Sequence, residues 1–467
     1  MAGGLTLVGS GSRRRAREEF QIIHDRWSYD MVKEYASPGD MQEIDGWARS
    51  FYTLEGHLAS IRAYDKPLLP QPDDSVWTDV KAEMLNMFSS FETVISLPFE
   101  TGLDSVRFES SSAAGHGYSG KKGEHDNLKR AKGIANAAIR TYAEMIDQHG
   151  INYANDDITS NSTPDIALTR TQLAKLPSIK VRNVFGEAFH YILIEGLTAF
   201  PLLEVFKRGD TFYFIGKDPT LEVPYMLESM ERRTQWYSVV DWSNFDASVQ
   251  NWEIDHAFNC LRQMIHFPSR LSELSFEYSI VLFKKRKILS PDGQLYMRDS
   301  GIPSGSYFTN MVGSIINYAR INFIMKKLNY PVLKIITQGD DSITFIGNTQ
   351  RPDPSEFSRI SERYNWTVKP EKCIITDSPD DVVFLGRSSL HRYNVRDRLK
   401  ALRLLCFPEF EVEDPKISTA RAHAIQRDAG YNDPIFDIIY CALYQMYGEA
   451  QDVPYHLLPY FERDLFM

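Results

Sequence analysis

Leu333–Gly347 reads LKIITQGDDSITFIG, two β-branched apolar runs flanking the polar break Gln338-Gly339-Asp340-Asp341-Ser342. This pattern predicts a tight β-hairpin with two adjacent carboxylates at its tip. Like charges held side by side repel, and a cation between them relieves the repulsion. Oxygen ligands suit a hard divalent ion, Mg²⁺ or Mn²⁺. Three other pairs, Asp73-Asp74, Asp156-Asp157 and Asp380-Asp381, read as solvated loop or turn acids. Only Asp340-Asp341 follows a glycine between two apolar β runs.

The 467 residues exceed one average domain and can bury a large core. Hydrophobic content of 43% and charged content of 24% are those of an ordinary globular chain. No run approaches the roughly 18 apolar residues that span a bilayer, so no membrane association is expected. MAGGLTLVGSGSRRR places its charges after a very short apolar run, the wrong order for a secretory signal. Cys260, Cys373, Cys406 and Cys441 lack paired spacing and read as reduced, mostly packed thiols. A net charge of −10 argues against indiscriminate coating of nucleic acid, but allows an enzyme with a basic channel. Basic clusters occur at Arg13, Arg14, Arg15 and Arg17; Lys121 and Lys122; Lys284, Lys285, Arg286 and Lys287; and Arg392, Arg396, Arg398, Lys400 and Arg403. The plain reading of any one of them is a solvated face.

Along the chain, helices are expected over 14–36 and 76–94. Next comes a loop of small residues, ESSSAAGHGYSGKKG (109–123), and a basic helix to about His149. The loop is either a plain connection or a surface that lets a phosphate backbone approach. In IKVRNVFGEAFHYILIEG (179–196), Lys180 and Arg182 share one face of a strand. They read equally as charge protection of a strand edge or as fixed cations for a triphosphate. Trp236–Val240 predicts a strand ending at Asp241, whose carboxylate needs a partner. Asp246 opens a helix expected to reach Phe267, either as its N-cap or as a site residue. SGIPSGSYFTNMVGSIIN (300–317) is a glycine- and serine-rich loop entering a helix to about Leu328, with Ser304 or Ser306 available as cap. Residues 364–376 and 382–388 look like a turn-and-strand pair, and the chain is mainly helical from about Leu390, broken at Pro408, Pro415, Pro434 and Pro454.

Order makes the signals specific. Asp241-x4-Asp246, Ser304-Gly305-x3-Thr309 and Gly339-Asp340-Asp341, in that sequence, resemble motifs A, B and C of viral RNA-dependent RNA polymerases. The turn with Lys369 and Lys372 resembles motif D, and Phe384-Leu385-Gly386 resembles motif E. Lys180-x-Arg182-x-Val-Phe-Gly186 is similar to motif F, and Ser112-Ala-Ala-Gly115 to motif G. Within the group, GIPSGSYFT and KxRxVFG look most like partitiviruses, then picobirnaviruses, both double-stranded RNA viruses.

The resemblance implies an α+β right-hand polymerase with an RRM-like antiparallel palm sheet and a helical thumb. Fingers would come from 1–230 with 262–300, palm from 231–261 and 301–389, and thumb from 390–467. It further implies that Asp241, Asp340 and Asp341 hold two Mg²⁺ (or Mn²⁺) ions, and that Lys180 and Arg182 hold the triphosphate. Lys372, or failing that Lys369, would protonate pyrophosphate. Asp246 with Ser304, Gly305, Thr309 and Asn317 would bind the nucleotide and read its 2′-hydroxyl. Ser112, Gly115, Lys121 and Lys122 would touch RNA. Many relatives carry asparagine four positions after the motif B threonine; here Gly313 stands there, leaving Asn317, Asn310 or Ser306 for that role. Template and product RNA, NTPs and a viral capsid protein are the implied partners, inside a virion in host cytoplasm. A reverse transcriptase-like polymerase and a catalytically silent RNA-binding protein are the alternatives. Gln338-Gly339 and Asp246 favour RNA synthesis over the first, and the intact aspartates argue against the second.

Overall fold

The computed structural model describes residues 3–11, 23–49, 52–178, 180–430, 433–454 and 457. Its organising element is a four-stranded antiparallel sheet in the order Val332–Gln338, Asp341–Ile346, Trp236–Val239, Ile374–Thr376. The expected hairpin is present: Gln338 pairs with Asp341, leaving Gly339-Asp340 as a two-residue loop. Gly339 has φ +59°, which a glycine adopts at the first loop position without steric cost.

Both faces of the sheet are buried, which explains the continuous apolar runs. Ile335, Ile346 and Ile375 face a core shared with helices Asn251–Arg262 and Thr309–Lys327. Tyr237, Ile336, Ile343 and Phe345 face a second core with Val223 and Leu227 of helix Pro219–Glu231. Ile335 and Ile336 thus point to opposite sides, as the strand period requires.

A second sheet has five strands, ordered Leu5–Ser10, Gln294–Arg298, Arg286–Leu289, Asp165–Thr171, Val181–Gly186. All pairs are antiparallel except Asp165–Thr171 against Arg286–Leu289. The mixture of helices with separate, mostly antiparallel sheets makes the chain α+β.

Several expectations change. Arg13, Arg14, Arg15, Arg17 and the first part of the helix expected over 14–36 lie outside the described residues; the described helix is Arg26–Tyr35, with Asp25 as N-cap. The stretch after Asp246 is not one helix. A short turn, Phe245–Ser248, ends at Val249, and Gln250 with Glu253 forms a capping box that starts Asn251–Arg262 afresh. Past Leu390 the chain first makes a strand, Tyr393–Arg396, paired with Arg387–Leu390. Pro415 and Pro434 begin helices rather than break them, at the position where proline's missing N–H costs nothing. Helix Phe189–Arg208 is apolar and long enough to cross a bilayer, against the expectation, but 78% of that window is buried inside the protein.

Helices Arg398–Cys406, Pro415–Ala429 and Pro434–Tyr447 share their core with Val32 and Ile44 from near the N-terminus. Buried Asp25 ties the same parts together, accepting from Ser418 Oγ at 2.8 Å and pairing with Arg421. The basic cluster over 392–403 is largely committed to such pairs: Arg392 with Glu228, Arg398 with Asp40, Arg403 with Glu43. The plain reading also fails at Arg286, which is buried against Asp165 and Glu187. All four cysteines are free.

Candidate active site

Asp241 follows the Trp236–Val239 strand, and Asp340 and Asp341 sit at the adjoining hairpin turn. The segment carrying Lys369 runs alongside: Lys369 N–H donates to the Asp241 carbonyl at 3.0 Å, and Trp242 bridges to Val368. Asp241 Oδ1 is shielded from solvent and accepts no hydrogen bond, the Lys369 ammonium lying 3.7 Å away. Of the two lysines considered as proton donor, the structure therefore brings Lys369 to the aspartates. Lys372 stands exposed at the end of a short 3₁₀ turn.

The carboxyls act on one another. Asp341 is pushed up to about 7, first by desolvation, then by Asp340, with Asp241 adding to the rise and Lys400 opposing it. Asp246 is also pushed up to about 7, by burial and then by Asp340, against the pull of Arg182 and Arg320. Asp246 is not the N-cap of its helix, a position held by Asn244, and its carbonyl accepts from Ile302 N–H at 2.9 Å. Arg182 is exposed on that strand, and Lys180 stands exposed one residue ahead of it.

The glycine-serine loop docks on this same strand. Ser304 Oγ accepts from Phe185 N–H at 3.0 Å. A Cβ on Gly305 would lie 1.9 Å from the Phe185 carbonyl oxygen, so only glycine fits there. Gly305→Ala is expected to displace the loop and cost about 1–3 kcal/mol; an unchanged denaturation midpoint would refute that contact. Neither Ser304 nor Ser306 caps helix Thr309–Lys327, whose N-cap is Phe308. Thr309 Oγ1 instead donates back into the loop, to Ser306 O at 2.8 Å.

Asn317 is fully buried and committed to the framework. Its amide nitrogen donates to Gly339 O and Asp341 O at 2.9 and 3.2 Å, and its oxygen accepts from Trp242 Nε1 at 2.9 Å. It pins the hairpin to the Asp241 segment. Ser306 donates to Glu195. Asn310 is exposed, accepts from Tyr213 O–H at 2.7 Å, and holds its amide nitrogen beside Gly339.

The 109–123 loop is likewise built mainly for internal contacts. Lys122 Nζ donates to Ser112 Oγ at 2.8 Å, and burial lowers its pKa. Gly115, at φ +85°, packs where a Cβ would strike the Glu187 carbonyl. Lys121 is exposed. The sequence reading passed over Arg320, Glu253 and Glu195. A charge inside the apolar runs INYARINFIM and YILIEGL was the available signal.

The donor set fits a hard divalent cation: carboxylate oxygens only, mutually repelling, one without a hydrogen bond. Among the described residues no three acidic, histidine or cysteine side chains converge as a cage. Magnesium sites acting on phosphates have this character, since one or two carboxylates and the substrate's own oxygens complete the shell.

Carboxylates at adjoining strand ends, with Arg182 exposed on the Val181–Gly186 strand, make a set of groups suited to a divalent cation and a phosphate. Residues 30–444 match the family described as viral RNA-dependent RNA polymerase, and the chain belongs to that family. It is 22% identical over 310 residues to the RNA-directed RNA polymerase of Atkinsonella hypoxylon virus (isolate 2H), covering 55% of this chain and 47% of that protein. It is 29% identical over 144 residues to the RNA-directed RNA polymerase of White clover cryptic virus 1 (isolate Boccardo/2004), covering 29% and 23%. Over 84 residues it is 36% identical to the RNA-directed RNA polymerase of Cryptosporidium parvum virus 1 (strain KSU-1), covering 18% and 16%. The chain thus spans less than half the length of each of these relatives.

Proposed function

We propose that the chain is an RNA-directed RNA polymerase that replicates and transcribes the genome of a partitivirus-like double-stranded RNA virus. The observation that carries this reading is the strand pairing that sets Asp340 and Asp341, at the hairpin turn, beside Asp241 at the end of the adjoining Trp236–Val239 strand. The four-stranded sheet serves as palm (231–261 and 301–389), with fingers from 1–230 and 262–300 and a thumb from 390–467. Helix Arg26–Tyr35, within the first span, packs with the thumb.

Asp241 and Asp340, with Asp341 beside them, would hold two Mg²⁺ or Mn²⁺ ions. Bound there, the ions supply Lewis-acid stabilisation of phosphoryl charge and a more acidic primer hydroxyl. The chain's own groups do the rest. Arg182, assisted by Lys180, holds the triphosphate. Lys369, whose ammonium lies 3.7 Å from Asp241 Oδ1, would donate a proton to the leaving pyrophosphate oxygen in place of Lys372. Asp246 accepts from the ribose 2′-hydroxyl, with Asn310 as the amide left accessible at the hairpin. Template and product RNA and NTPs are the ligands; a capsid protein is the proposed partner, within a virion in host cytoplasm.

The test is labelled-nucleotide incorporation by the purified chain on single-stranded RNA with Mg²⁺, in parallel with ribo- and deoxynucleotides. RNA product supports the reading, and DNA product would move the chain to the reverse transcriptases. Asp246→Ala is expected to reduce the ribose preference by about tenfold, the value of one hydrogen bond to a charged group. Unchanged sugar selectivity would remove Asp246 from ribose recognition.

A further inference from the structure

The loop 303–308 carries no side-chain helix cap, yet it must hold Ser304 and Gly305 against the Val181–Gly186 strand. Its other half folds on itself, with Phe308 N–H donating to Ser306 Oγ at 3.1 Å and Thr309 Oγ1 to Ser306 O at 2.8 Å, and is tied to the neighbouring helix by one buried carboxylate oxygen. Glu195 Oε2 accepts from Ser306 Oγ at 2.8 Å and from the Tyr307 N–H at 2.7 Å. Glu195 is 2% exposed, on a helix that begins two residues after Glu187 and so continues directly from the strand bearing Arg182 and Phe185. One continuous segment, 181–195, therefore grips the loop at both ends: Phe185 holds Ser304 and Gly305, and Glu195 holds Ser306 and Tyr307.

The grip is itself braced. Glu187 pairs with buried Arg286, which also donates to Asp165 at 3.0 Å and lies 5.0 Å from the Tyr191 ring centroid. Burial and then Glu187 push the Glu195 carboxyl well above the usual carboxylate range. An acceptor this deeply buried has no water to fall back on, so losing it strands two donors at once.

We infer that Glu195 is a positioning residue for nucleotide handling: it fixes the Ser304–Gly305 loop in register with the Arg182 strand. The inference rests on the polymerase reading. It predicts a split in kinetic constants rather than a uniform loss. Glu195→Leu removes the acceptor at similar volume, and is expected to raise the NTP KM about tenfold and to lower the ribose preference. Glu195→Gln retains a carbonyl oxygen for both donors and restores the constants. Ser306→Ala, which removes one arm together with the acceptor of the Phe308 N–H and leaves Glu195 and its Tyr307 contact intact, gives a smaller rise in KM and supplies the answer if the leucine variant does not fold.

The experiment is steady-state incorporation of ribo- and deoxynucleotides on a primed RNA template by wild type and the three variants, with thermal melts alongside. A raised KM in Glu195→Leu, restored in Glu195→Gln, supports the assignment. Wild-type KM and sugar ratio in a folded Glu195→Leu overturns it, as does equal impairment of the leucine and glutamine variants. With an unfolded Glu195→Leu, an unchanged KM in Ser306→Ala overturns it. Absence of incorporation by wild type would refute the polymerase reading instead, so the two failures are distinct.

Discussion

Asp340→Asn is expected to reduce incorporation by about three orders of magnitude or more, while making the protein harder to unfold in the absence of divalent ions. The first effect follows from charge. Metal-assisted stabilisation of phosphoryl charge contributes several kcal/mol, and each 1.4 kcal/mol is about tenfold in rate. The second follows from the repulsion that Asp340 imposes on its neighbours. Asp341 and Asp246 are both pushed up to about 7 in the folded chain, by desolvation and then by Asp340. Their folded pKa values exceed the unfolded ones, so the folded state binds more protons between about pH 4 and about pH 7. Stability present below pH 4 is therefore lost as pH rises through 7. Removing the Asp340 charge returns part of it at pH 8 in EDTA, and the difference fades towards pH 4. Added Mg²⁺ should raise the melting temperature of wild type more than that of Asp340→Asn. Near-normal turnover, or equal magnesium stabilisation of both proteins, would take Asp340 out of the site.

The hairpin was readable because local rules agree there: β-branched runs on both sides, and a glycine where the two-residue loop needs positive φ. Asp241 was readable for the same reason, as a carboxylate at the end of an apolar strand. Much of what escaped was decided by long-range partners. Asn317 looked like a ribose reader by position, but its three hydrogen bonds come from two elements distant in sequence. The helix expected from Asp246 is interrupted by a local signal, the Gln250–Glu253 capping box that starts Asn251–Arg262 afresh. Lys122 looked like a phosphate contact because Ser112, its partner, could not be seen to fold back on it. The union of the N-terminal helix with the C-terminal core has no local signature, since amphipathic faces do not name their partners.

Glu253→Ala is expected to destabilise the chain by about 3–5 kcal/mol, the cost of leaving a buried guanidinium without its counter-charge. Arg320 donates to both Glu253 oxygens at 2.7 and 2.9 Å and to Ser248 Oγ at 3.0 Å. Neither side chain of the pair exceeds 1% exposure. The guanidinium also packs 4.8 Å from the ring centroids of Phe245 and Trp366, and 5.5 Å from that of Trp242. Trp242 and Phe245 belong to the Asp241–Asp246 segment itself, so the pair does two separable jobs. It joins helix Asn251–Arg262 to helix Thr309–Lys327, and it fixes the segment that carries both aspartates. A double replacement, Glu253→Leu with Arg320→Met, separates them. Well-packed apolar residues can match a buried ion pair in stability, so the double variant should recover most of the denaturation midpoint lost by Glu253→Ala. It cannot restore the cation that opposes the raised pKa of Asp246, nor the planar group against the rings. Its incorporation rate should therefore stay about tenfold or more below wild type. A double variant recovering both stability and rate would reduce the pair to a structural bond. Glu253→Ala within about 1 kcal/mol of wild type would deny it even that.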